Sequence, residues 1–92
     1  MKKAEKNIRA AFVNGVSHGE SNTATDGQIV LFHGNKIIEK RPDGVYATLA
    51  GWDTVTTRSR CNNIADANFT RKNNETYHNG KPVDAHEWVK VS

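Results

Sequence analysis

The sequence predicts an α+β domain made of an N-terminal helix, a three-stranded antiparallel meander, a central helix and a C-terminal β-hairpin. Three observations predict it. Apolar residues recur at helical spacing over the first dozen positions. Short apolar runs between residues 28 and 49 are separated by glycine-containing turns. Asn79-Gly80, the strongest hairpin dipeptide in the chain, lies near its end. With 92 residues there is room for a single domain spanning 1–92. Hydrophobic residues make up 36% of the chain and the mean hydropathy is -0.72, so the core should be thin. Its few aromatic residues then matter disproportionately, and a partner or self-association would relieve the shortage of buried surface.

From Lys2 to Val13, residues Ala4, Ile8, Ala11 and Phe12 fall on one helical stripe, with Glu5 and Arg9 four apart as an exposed ion pair. Asn14-Gly15 stops the helix. Val16 to Gly27 is polar and reads as a long loop; residues 1–3 and 16–27 have the composition of mobile segments. Gln28 to His33 holds Ile29-Val30-Leu31-Phe32, apolar on both faces like a central strand. Gly34-Asn35 suits a type II′ turn, Lys36 to Arg41 returns, and Pro42-Asp43-Gly44 turns the chain into the alternating strand Val45 to Leu49.

Ala50-Gly51-Trp52 breaks that strand. A helix should begin near Asp53 or Thr54, capped by a hydroxyl, with Cys61, Ile64 and Ala65 as its apolar stripe, and fade near Asn68. Phe69 to Lys72 and Thr76 to Val83 read as strands, the latter enclosing Asn79-Gly80. Pro82 belongs at a sheet edge because it lacks a donor. Trp88, Val89 and Val91 should pack back on the sheet, while the C-terminal hairpin either extends the meander or packs elsewhere.

Composition excludes several classes. The single cysteine, Cys61, forms no internal disulfide, whereas a secreted domain with so thin a core would normally carry several. Met1 to Arg9 places charges where a signal peptide would be apolar, and Ile29 to Phe32 is far too short to span a bilayer. The expectation is a cytoplasmic protein with no membrane partner. A net charge of +3 and a pI near 9.2 permit attraction to nucleic acid or to an acidic protein, yet thirteen basic and ten acidic residues are also an ordinary solubilising surface.

Catalytic and metal motifs are missing from the pattern. His18, His33, Cys61, His78 and His86 lie outside the two-to-five-residue spacing of structural zinc sites, so no metal is expected. Gly15, Gly19, Gly27 and Gly34 are too widely spaced to cradle phosphates, and none is followed by Lys-Ser or Lys-Thr. Asp26, Asp43 and Asp84 adjoin turn residues, and nothing resembles a nucleophile elbow. The reading is non-enzymatic, without a cofactor. Cys61, on the apolar stripe with Ile64, reads as core despite the neighbouring Arg60.

The most distinctive stretch is Trp52 to Asn63, WDTVTTRSRCNN. Hydroxyls and arginines at a helix start can hold phosphates. At about 100° per residue, however, Arg58 and Arg60 flank the Cys61–Ile64–Ala65 stripe about 160° apart, so they cannot fork one phosphate row together. Each is then either a flank whose stem covers apolar surface or a single contact. Lys2, Lys6 and Arg9 add a basic face on the first helix. Tyr46 and Tyr77 are the aromatics available for base stacking, although strand packing is their simpler role.

The order His33-Gly34-Asn35, Ala50-Gly51-Trp52 and Thr56-Thr57-Arg58-x-Arg60-x-Asn62 resembles small proteins encoded by tailed bacteriophages, over residues 26 to 63. Cys61 stands where leucine is expected. The resemblance implies a bacterial host cytoplasm and supplies no activity. Three expectations follow. The first is a phage accessory protein that binds a host or phage protein and modulates it. The second is a nucleic-acid-binding module using Lys2, Lys6, Arg9 and Thr57 with Arg58 or Arg60. The third is a protein that sequesters a small molecule in a pocket at Trp52.

Overall fold

The computed structural model describes all 92 residues. Helix α1 spans Lys3–Asn14 and ends on Gly15, whose φ of 70° supplies the left-handed cap that an L side chain would resist. The next polar segment is not a loop. It forms a hairpin of β1 (His18–Glu20) and β2 (Thr23–Thr25), with Ser21 and Asn22 both at positive φ in the turn. Strands β3 (Ile29–Phe32), β4 (Asn35–Arg41) and β5 (Gly44–Ala47) continue the meander. The β3–β4 turn is centred on His33-Gly34 (φ 50° and 79°) rather than on Gly34-Asn35, one residue earlier than expected. Two consecutive positive φ angles make it I′-like, matching the strand twist.

Helix α2 spans Val55–Ala65, capped by the Thr54 hydroxyl accepting from the Thr57 N–H, and closes on Asp66 in the left-handed region (φ 59°). Strands β6 (Phe69–Lys72), β7 (Glu75–His78) and β8 (Lys81–Pro82) form a second sheet, with Pro82 on its edge strand. The final strand β9 (Val89–Lys90) returns to the first sheet beside β5. The two antiparallel sheets thus have orders β1-β2-β3-β4-β5-β9 and β6-β7-β8. The C-terminal hairpin packs separately, and the expected three-stranded meander is half of a six-stranded sheet.

One row of paired residues, Thr25, Val30, Ile38, Ala47 and Val89, crosses five strands of the large sheet. Thr25, Val30, Ile38 and Ala47 in this row are buried; Ile8 and Phe12 from α1, Cys61, Ile64 and Ala65 from α2, and Ile37, Leu49, Ala67 and Phe69 complete the core. Between β3 and β4 the register slips, because Val30 pairs with Ile38 while Leu31 pairs with Lys36. Ile37 is therefore the extra residue of a bulge, which explains how consecutive isoleucines are both buried. Ile37 lines a concavity shared with Thr54, Thr56 and Thr57 at the start of α2.

Candidate binding groove

The distinctive cations lie mostly on carboxylates. Arg60 is buried; its Nη1 donates to Glu5 Oε2 at 3.0 Å, its Nε to the Thr23 hydroxyl at 3.0 Å, and its guanidinium lies 5.4 Å from the Phe32 ring centroid. Glu5 is fully buried and also accepts from Ser59 and Asn63. Burial opposes its ionisation, but the donors Ser59, Asn63 and Arg60 outweigh that effect and hold its carboxyl below the usual range. The expected exposed pair with Arg9 does not form. Glu5 lies at i and Ile8 and Phe12 at i+3 and i+7, so it faces α2, and Arg9 instead grips Asp66 through two bonds of 2.8 and 3.0 Å.

Arg58 pairs with Asp53, which also accepts from Arg71 (3.0 Å) and Thr76 and so ties the start of α2 to the small sheet. Burial again opposes ionisation of Asp53, and Thr76, Arg58 and Arg71 lower its pKa on balance. Arg41 is bonded to Glu39 at 2.8 Å and stacks on Tyr46 and Trp88. All five arginines are thus ion-paired. Lys2, just before α1, and Lys6 on it stay exposed, Thr57 is buried, and Trp52 is 60% exposed. Of the seven residues singled out as binding candidates, only Trp52 and Thr57 come together at one concave site.

That site is a groove of about 580 Å³ beside the β3–β4 bulge. One wall comes from the β3–β4 hairpin, with Phe32, His33, Asn35 and Ile37; Leu49 lies in the floor. Trp52 and the hydroxyl residues Thr54, Thr56 and Thr57 form the other wall. Trp52 is aimed there by a tight turn in which its N–H donates to the Leu49 carbonyl, with Ala50 and Gly51 at φ 54° and 85°. The Gly51 N–H donates to the Ala85 carbonyl, and its φ of 85° is backbone that an L side chain resists. Thr54 and Thr57 satisfy each other at 2.8 Å, leaving the His33 ring, the Asn35 amide and the Thr56 hydroxyl without an intramolecular partner.

The lining contains no carboxylate, lysine, arginine or thiol. Cys61 lies in the core, where burial pushes its thiol up to about 12. The histidines stay apart: His18 meets Glu20, His86 meets Asp84, and His78 packs on Phe69 with ring centroids 4.9 Å apart. No three His, Cys, Asp or Glu side chains gather at a metal-holding distance. Sequence reasoning singled out Trp52 and Thr57 but missed Phe32, His33, Asn35, Ile37, Leu49, Thr54 and Thr56 as lining. The signal for Asn35 and His33 was their place in the quoted His-Gly-Asn string; the bulge that delivers Ile37 leaves no local trace.

Fold and groove define a small α+β domain with one uncharged, apolar-floored concavity. The chain belongs to the Kyanoviridae Gp96 protein family, a family of phage proteins whose model matches residues 1–91. The likeness to phage proteins therefore extends beyond residues 26–63 to almost the full chain. Comparison with curated proteins and with solved structures gave no match. No helix is long and apolar enough to cross a membrane.

Proposed function

We propose that this phage protein is a non-catalytic accessory factor that binds a host or phage protein through the Trp52 groove and modulates it. One observation carries the reading. An apolar floor with no charged lining lies beside two large exposed apolar residues, Trp52 at 60% and Val55 at 74%. Exposed tryptophan next to an apolar, uncharged concavity is the composition of an energetic anchor at protein interfaces. Chemistry has less support, because the groove holds no carboxylate or thiol and its hydroxyls lack an adjacent base other than the turn residue His33. The nucleic-acid reading is weakened because each arginine already meets a carboxylate, leaving exposed lysines, with Lys2 and Lys6 the ones singled out in the sequence beside Lys3, Lys72, Lys81 and Lys90. We place the protein in the host cytoplasm, where a lone thiol such as Cys61 stays reduced.

Affinity capture from infected cells tests this with three baits: the unaltered protein, Trp52→Ala, and Lys2→Ala combined with Lys6→Ala. The expected outcome is a protein retained by the first and third baits and depleted at least tenfold on Trp52→Ala. Equal capture by all three baits would remove the groove from the function. Salt-sensitive binding to DNA or RNA that the lysine variant abolishes would favour nucleic acid instead.

A further inference from the structure

We infer that the groove accepts one uncharged aromatic side chain of the partner, with Asn35 and Thr56 bonding the partner's main chain beside it. The inference rests on the groove being the protein-docking site proposed above. Charge comes first: with no ionic group in the lining, a charged side chain lowered onto Phe32, Ile37 and Leu49 would be desolvated without a counter-ion. Ring chemistry comes second. Trp52 stands 60% exposed in the lining, and His33 in the same lining is tilted 57° against Phe32 at 4.4 Å between centroids, so a planar group entering the groove has ring faces and edges to meet.

Size agrees, since about 580 Å³ holds a large side chain with its flanking peptide units and would be underfilled by a short aliphatic one. The unengaged Asn35 amide offers a donor and an acceptor, the pair that a peptide unit presents in complement; the Thr56 hydroxyl offers another of either kind. Val55 lies between two lining residues in sequence, outside the lining and 74% exposed, so the polypeptide proposed above would cover it where a free small ligand would leave it wet.

The test titrates isotopically labelled protein with N-acetyl amides of tryptophan, tyrosine, leucine, aspartate and lysine, and with adenosine, while following backbone amide shifts. Expected are saturable shifts at His33, Asn35, Val55 and Thr56 with the aromatic amides, at least fivefold weaker binding of the leucine amide, and no saturation with the charged ones. Trp52→Ala should weaken the tryptophan amide about tenfold. Thr56→Glu, an acid tolerated in a helix's first turn, should abolish its binding while the remaining spectrum stays native. Equal binding of charged amides, shifts mapping elsewhere, saturation by adenosine but not by the aromatic amides, or no binding at all would overturn the inference. If the amides fail while Trp52→Ala still loses the captured protein, the occupant is wrong and the docking site stands. If the amides bind but capture is unaffected, the pocket stands and the partner reading goes.

Discussion

Glu5 takes hydrogen bonds from Ser59, Asn63 and Arg60 and from its own helix start at Lys2, all within the protein. Removing one member of a buried ion pair strands the other charge and costs about 3–5 kcal/mol. A domain this small has on the order of 5 kcal/mol in total. Glu5→Ala and Arg60→Ala should each leave the chain largely unfolded at 25 °C by circular dichroism, whereas Glu5→Leu with Arg60→Met restores a cooperative urea transition. A double variant no better than either single one would contradict that account. The pair was half legible. Glu5, Ile8 and Phe12 sit at i, i+3 and i+7, which marks an acid on the buried stripe. The residue it meets is 55 positions away, however, and no local pattern names it. The same holds for Arg58: its 160° separation from Arg60 showed that the two face different ways, but not that each ends on its own carboxylate.

Four of the hairpin turns place two consecutive residues at positive φ: Ser21-Asn22, His33-Gly34, Asn73-Asn74 and Asn79-Gly80. Asparagine tolerates that region and glycine prefers it at the second position. Asn74→Gly should therefore raise stability by about 0.5 kcal/mol and Tm by roughly 2–4 °C, while Asn74→Val should lower it; scanning calorimetry separates the two signs. A fall in Tm for the glycine variant would mean that the β6–β7 turn does not need its left-handed backbone. Asn79-Gly80 was readable because both residues fit that requirement. Ser21-Asn22 was not, because its strands are three residues each, polar, and lack an alternating pattern. Those strands exist because β3 already lies alongside to pair with β2 and α1 packs beside them.

At the scale of the molecule, a radius of gyration of 12.1 Å equals the roughly 12 Å expected for this length. The accessible surface of 5177 Å² is close to the about 5300 Å² of an ordinary monomer of 10.2 kDa. The thin core is thus offset by buried, satisfied polar groups rather than by unusual exposure, which makes the fold sensitive to acid. Glu5 and Asp53 have folded pKa values below their ordinary 4.5 and 3.8, so their stabilisation is complete above those values and is lost as pH falls through the folded ones. Burial lowers the His78 pKa from 6.5, so the unfolded chain takes up that proton first and stability already begins to decline as pH drops through 6.5. Urea midpoints should fall modestly from pH 7.5 to 5.5 and steeply below about 4.5, with His78→Gln abolishing only the upper decline. A midpoint that holds steady or rises between pH 5 and 3 would contradict this electrostatic account.

The amino-acid order alone determined the α+β class, the extent of α1, the hydroxyl-capped start of α2, the Asn79-Gly80 hairpin and the edge position of Pro82. Each depends on residues within one or two turns of chain, where helical spacing, caps and φ preferences act directly. Tertiary structure alone decided the β1–β2 hairpin, the separate small sheet, the partners of the arginines and the groove. The hairpin and the small sheet depend on what packs beside them, while the arginine partners and the groove join positions remote along the chain; the groove also uses the extra residue at Ile37 and the positive φ at Gly51. Pairing across such distances is selected by packing and by satisfying buried charge, and neither quantity exists until the chain has closed on itself.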